Sequence, residues 1–211
     1  MKDIINFMEK YKKEYSEYFV NDRLQKCKYG YTCDVNQIYC YLNKKNIEDT
    51  EYYTFFKISK LFFNFENKKL LEVCCGKIPI LSSLYKKDNL NINAMNNKIL
   101  INNYKDIPTF ECDFDNDMDI NKYDIILGLR PCTPTEKILD LCLKHKKDFI
   151  IYLCPCIHEP LDYKFKKDIT YEEWIKYLKE KLYKYKDYQI CFLTHNKLPD
   201  NCPIIIGKYI N

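Results

Sequence analysis

The residues able to carry chemistry in this chain fall into a few short stretches. Glu72-Val73-Cys74-Cys75-Gly76 closes one apolar run, Leu129-Arg130-Pro131-Cys132 closes another, and Cys154-Pro155-Cys156-Ile157-His158 closes a third. Asp113-Phe114 follows a shorter run at Thr109–Cys112. Thiolate and imidazole are soft donors suited to zinc or another thiophilic metal. Arg130, one of two arginines in the chain, can lower the pKa of a nearby thiol or hold a phosphate or carboxylate through its planar fork. His158 is the side chain of this set whose ordinary pKa suits a base at neutral pH. The bland alternative is that alternate cysteines pack into a core as small hydrophobes and that Arg130 pairs with an acid of residues 113–119. The C-x-C-x-H spacing is not a common zinc pattern. Cys27, Cys33 and Cys40, at gaps of six and seven, are not one either.

Several familiar sites are excluded. Four glycines, at 30, 76, 128 and 207, supply neither the phosphate loop G-x-x-x-x-G-K-[ST] nor the dinucleotide fingerprint G-x-G-x-x-G. There is no G-x-S-x-G elbow and no H-E-x-x-H, since His158-Glu159 runs into Pro160-Leu161. The net charge of +4 over 211 residues permits a nucleic-acid partner without arguing for one. Twelve cysteines would suit a disulfide framework in a small secreted domain. Here Met1-Lys2-Asp3-Ile4-Ile5 opens a charged amphipathic stretch rather than an apolar leader, and no run approaches about 18 apolar residues. The expectation is a cytoplasmic, cysteine-rich protein with reduced thiols.

These stretches must be positioned by regular elements. Residues 2–20 and a segment from Thr50 to about Phe65 carry apolar residues at helical spacing. Leu70–Val73, Leu90–Met95, Thr109–Cys112, Tyr123–Leu129 and Asp148–Leu153 read as five strands. Helices over 79–87 and about 134–145 fall among them, the second capped by Thr133 or Thr135. A helix near 170–185 holds Trp174, and 187–194 and 202–209 read as two further strands, an antiparallel pair. Strands alternating with helices imply a parallel sheet with right-handed crossovers. The expected architecture is α/β: a Rossmann-like, doubly wound, mostly parallel sheet with an antiparallel C-terminal strand pair. A helical N-terminal extension over 1–65 precedes this domain, 66–211, and can lid its site. In a 3-2-1-4-5 sheet, strands one, four and five are neighbours. Cys74, Cys75, Arg130, Cys132, Cys154, Cys156 and His158 then gather at the carboxyl mouth, where such sheets bind ligands.

Glu72-Val73-Cys74-Cys75-Gly76 resembles the first motif of class I S-adenosylmethionine-dependent methyltransferases, in which a strand ends in an acid and a small-residue turn. The order of elements over residues 68–209 agrees. The stretch Tyr123–Cys132 resembles two branches of that superfamily: a small archaeal methyltransferase-like family with an Ile-Arg-Pro step, and the tRNA 2′-O-methyltransferase-like group. The resemblance implies transfer of a methyl group from S-adenosylmethionine to a small molecule or RNA. It implies that Glu72, Cys74 and Gly76 frame the cofactor with Leu129, that Asn96 takes the ribose, and that Asp113 and Phe114 take the adenine. Arg130, Cys132 and His158 would face the acceptor. Cys74 stands where the superfamily usually has glycine, and Asn96-Asn97 where it usually has an acid. Two alternatives stay open: a non-catalytic ligand-binding or interaction protein on a degenerate methyltransferase fold, and a cysteine-rich metal or thiol site.

Overall fold

The computed structural model describes residues 50–114, 118–132, 134–154, 169–196, 198 and 202–210. The expected helix over 2–20, the cysteines at 27, 33 and 40, and Cys156 and His158 lie outside the described residues. The first described helix, α1 (Glu51–Phe62), buries Tyr52, Phe55, Phe56, Ile58 and Ser59. It ends at Phe62, three residues short of the expected Phe65, and the backbone of Phe63 is already extended. Leu61 is 82% exposed. At 100° per residue it falls opposite the buried stripe, so helical spacing alone overstated that face.

The strands are β1 (Lys69–Val73), β2 (Asn91–Asn96), β3 (Thr109–Glu111), β4 (Ile125–Leu129), β5 (Asp148–Tyr152), β6 (Tyr188–Leu193) and β7 (Ile204–Tyr209). The helices between them are α2 (Ile80–Lys87), α3 (Thr135–Lys144) and α4 (Tyr171–Leu182). One sheet runs in the order β3-β2-β1-β4-β5-β7-β6. The first five strands are parallel, and β7 lies antiparallel between β5 and β6. The expected doubly wound sheet with an antiparallel C-terminal pair is therefore present. β4 is buried along its whole length, as a central strand covered on both faces must be.

α1 packs against α2 through Tyr85. Its ring meets Phe56 and Phe65 edge-on, at centroid distances of 4.9 and 5.3 Å, a favoured aromatic geometry. Its hydroxyl lies 2.6 Å from that of Ser59, which also donates to the Phe56 carbonyl, so neither buried hydroxyl goes unsatisfied. The α1 side chains belong to the same apolar core as the sheet. α3 differs from expectation at its start. Pro134 is the N-cap, and the hydroxyl of Thr135, the first helical residue, donates back to the Cys132 carbonyl at 2.8 Å. α4 opens with a reciprocal capping box between Thr170 and Glu173. It is tied to α3 by Tyr177 and Lys181, both donating to Glu136 Oε1.

Where β5 meets β7, Phe149 lies directly across from Gly207, and its ring fills the space above the glycine. A Cβ built on Gly207 comes within 2.2 Å of Phe149 Cζ. Gly207→Ala is therefore expected to force the ring out of its buried site and cost about 2 kcal/mol, the middle of the range for overpacked cores. Urea unfolding measures the loss; an unchanged midpoint would refute the packing argument.

Candidate functional site

β1 and β4 are neighbours, with Val73 beside Gly128, but the chain leaves them in opposite directions. After β1, the Cys75 N–H donates to Met95 O on the β2 side at 2.9 Å. After β4, the Arg130 N–H donates to Tyr152 O on the β5 side at 2.8 Å. The two exits diverge at the switch point of the sheet, and the crevice between two such exits is where open α/β sheets bind ligands. The backbone there is unusual. Cys74, Arg130 and Cys132 have φ of 55°, 54° and 54°, and Gly76 has φ of 74°. A left-handed backbone costs a residue with a Cβ roughly 1–2 kcal/mol, so three such residues around one crevice mark a place where shape outweighs comfort.

Glu72 lies beneath that crevice and is 2% exposed. Its Oε2 accepts from the backbone N–H of Ser82 at 2.8 Å and from the Ser82 hydroxyl. The carboxylate of β1 thus holds the first turn of α2, which has no side-chain cap of its own. Burial pushes the Glu72 carboxyl up to about 7 against the restraint of the two Ser82 bonds. Desolvation outweighs hydrogen bonding here.

Arg130 is held by two elements. Its Nε lies 2.9 Å from Glu51 Oε2, in the first turn of α1. Its Nη2 donates to the Tyr152 hydroxyl at 3.2 Å, and its guanidinium sits 4.9 Å from the Tyr152 ring centroid. One acid facing it is therefore Glu51, outside the expected stretch of residues 113–119. Glu51, Tyr152 and Ser82 are the contributors that sequence reasoning missed. Glu51 carried only the weak signal of an acid in a first helical turn.

The other expected residues lie at or just beyond the carboxyl ends of β1 to β4. Leu129 ends β4 and is buried, and Cys132 is half-buried. Cys75 is buried with Ala94, Ile99 and Ile107, whereas Cys74 is half-buried against the main core. Asn96 ends β2, and its side-chain amide donates to Lys98 O at 2.9 Å. Asp113 is exposed, and Phe114, next to it, packs partly buried against the core. Among the described residues, no three of the His, Cys, Asp and Glu side chains are grouped to hold a metal ion. A shallow depression bordered by Leu61, Phe63, Phe65 and Leu90 lies at the amino end of the sheet, away from this chemistry. The Lys60–Asp88 ion pair lies beside it at 2.6 Å.

The fold is α/β, Rossmann-like and methyltransferase-like: five parallel strands in the order 3-2-1-4-5, then a reversed strand inserted before the last. The chain is similar in structure to Streptomyces venezuelae DesVI at 11% identity, over 84% of this chain and 98% of that one, with a TM-score of 0.51. It is similar to an S-adenosylmethionine-dependent methyltransferase from Clostridium acetobutylicum ATCC 824 at 14% identity, over 83% and 98%, with a TM-score of 0.49. Similarity to the 23S rRNA methyltransferase ErmE is at 11% identity, over 76% and 68%, with a TM-score of 0.48. No family model and no curated protein matches the chain by sequence. No helix among the described residues is long and apolar enough to cross a membrane.

Proposed function

We propose that the protein binds S-adenosylmethionine in the β1/β4 crevice and transfers its methyl group to a small molecule or RNA. The observation that carries this reading is the divergence of β1 and β4, and the crevice lies between their exits. It opens at the switch point of a sheet in the order 3-2-1-4-5-7-6, beside a turn whose left-handed Cys74 and Gly76 let backbone come close to a ligand. The residues present fit the cofactor. Asn96, at the end of β2, offers an amide oxygen to the ribose hydroxyls. Exposed Asp113 is an acceptor for the adenine amino group, and half-buried Phe114 offers its ring an apolar wall. Glu72 fixes the turn from below through Ser82, and Cys74, Gly76 and Leu129 frame the methionine side.

The bound cofactor supplies an electrophilic sulfonium methyl. The protein's task is to place a nucleophile in line with it and to exclude water. Arg130 is suited to an anionic acceptor group, phosphate or carboxylate, with Cys132 at its side. His158 is the candidate to remove the acceptor's proton. The described cysteines are all thiols, which suits a reducing, cytoplasmic setting.

Titration calorimetry with S-adenosylhomocysteine tests the reading. Micromolar binding is expected, weakened about tenfold or more by Asp113→Ala. Absence of heat at high micromolar ligand with folded protein would sink it.

A further inference from the structure

The ladder between β5 and β7 does not stop where the strands formally end. The paired positions are Phe149–Gly207, Ile150–Ile206, Ile151–Ile205 and Tyr152–Ile204. One step further, the Leu153 N–H donates to Pro203 O at 3.1 Å. That bond makes Leu153 and Pro203 a hydrogen-bonded pair. The next pair in the same register is Cys154 and Cys202, at a position without ladder hydrogen bonds. Such pairs bring the Cα atoms of an antiparallel ladder to about 4.5 Å and put both side chains on one face. That spacing is within the range a disulfide spans, at its lower end.

Both side chains are thiols here, 1% and 4% exposed, so each faces protein rather than water. The electrostatics of a neighbouring tyrosine agree with this register. Tyr171, the first residue of α4, has its hydroxyl held well above the usual phenol range, first by burial and then by the neighbouring Cys202, Cys154 and Tyr152. One tyrosine therefore senses both thiols and the ring that stacks on Arg130.

We propose that Cys154 and Cys202 form a redox-active pair that closes to a cross-strand disulfide beside the crevice. The oxidant is a small-molecule disulfide, RSSR. One cysteine thiolate attacks a sulfur of RSSR, breaking its S–S bond and releasing the first RS⁻. The second cysteine thiolate then attacks the protein sulfur of the mixed disulfide, forming the Cys154–Cys202 bond and releasing the second RS⁻. The two cysteine protons end on the two RSH molecules, and the protein has lost two electrons and two protons. Two further features suit a regulatory site. The bond would tie the exit of β5 to the start of β7, two residues beyond the Tyr152 that holds Arg130. Cytosolic disulfides, where they occur, are mostly transient or redox-sensing. The proposal does not depend on the methyltransferase reading, because its test reads the bond directly.

The full chain is incubated folded with oxidised glutathione, then alkylated in denaturant and digested without reduction. The expected product is one peptide pair joining Cys154 to Cys202, released by dithiothreitol, still formed in Cys156→Ala and absent in Cys202→Ala. The oxidised wild type is expected to melt roughly 5 °C or more above the reduced form, as a loop-closing bond predicts, with no such rise in Cys202→Ala. Recovery of Cys154 and Cys202 as alkylated thiols would overturn the proposal. So would a separate glutathione adduct on each, or a linkage that joins Cys156 instead.

Discussion

Glu72→Gln is expected to be more stable than the wild type at pH 8 by about 3 kcal/mol, and to have almost no advantage at pH 4. The Glu72 carboxyl is pushed from 4.5 to about 7 by burial. Because its pKa is raised on folding, the folded state holds its proton more tightly than the unfolded chain. The stability this group allows is fully present below pH 4.5 and is lost as pH rises through 7. At about 1.4 kcal/mol per pH unit, that window amounts to about 3 kcal/mol. Glutamine removes the charge and keeps an oxygen to accept from Ser82, so its profile should lack this fall. Urea unfolding from pH 4 to 8 reads the difference; parallel profiles for the two proteins would refute it. The same variant addresses the cofactor. If Glu72 acts only by holding the first turn of α2, Glu72→Gln should bind S-adenosylhomocysteine nearly as well as the wild type. If the carboxylate itself meets the ligand, affinity falls while stability rises.

Much of the fold was legible because the central strands are chemically loud. Ile125–Leu129 and Phe149–Tyr152 are unbroken apolar runs, each preceded by an aspartate, the pattern of strands covered on both faces. Ile204–Ile206, likewise unbroken, is fully buried, in keeping with the inner place of β7. Which neighbours β7 takes is a long-range matter that composition does not encode. The site was legible in its location and not in its wiring. Left-handed backbone at Gly76 is foreseeable, because glycine adopts it freely. At Cys74, Arg130 and Cys132 the residue type argues against it, and only the divergence of β1 and β4 imposes it. Glu51, which pairs with Arg130, lay in the extension expected to lid the site, too far along the chain for any spacing rule. The Cys154–Cys202 juxtaposition follows from a register that strand patterns leave open by one or two residues, enough to reverse a side chain's face.

Arg130→Met is expected to cost about 4 kcal/mol of stability, and most of that cost should vanish when Glu51→Gln is added. The Arg130 side chain is 9% exposed and that of Glu51 20%, so the pair is largely withdrawn from water. Removing one partner of such a pair leaves the other charge buried opposite an apolar side chain, which typically costs about 3–5 kcal/mol. Removing both charges takes away the desolvation penalty together with the attraction, so the double variant should approach the wild type. A double-mutant cycle by urea unfolding measures the coupling. Additive losses would show that Glu51 and Arg130 do not depend on one another. Lysine is a poor replacement: it cannot keep one donor on Glu51 and another on the Tyr152 hydroxyl while lying flat over that ring. The double variant also separates structure from function. On the proposed function, if Arg130 serves only to anchor α1, restoring stability restores the proposed methyl transfer. If its guanidinium also receives an anionic acceptor, Arg130→Met with Glu51→Gln remains folded and binds S-adenosylhomocysteine, yet transfers methyl groups at least tenfold more slowly. That outcome would place the acceptor at the mouth of β4, under the first turn of α1.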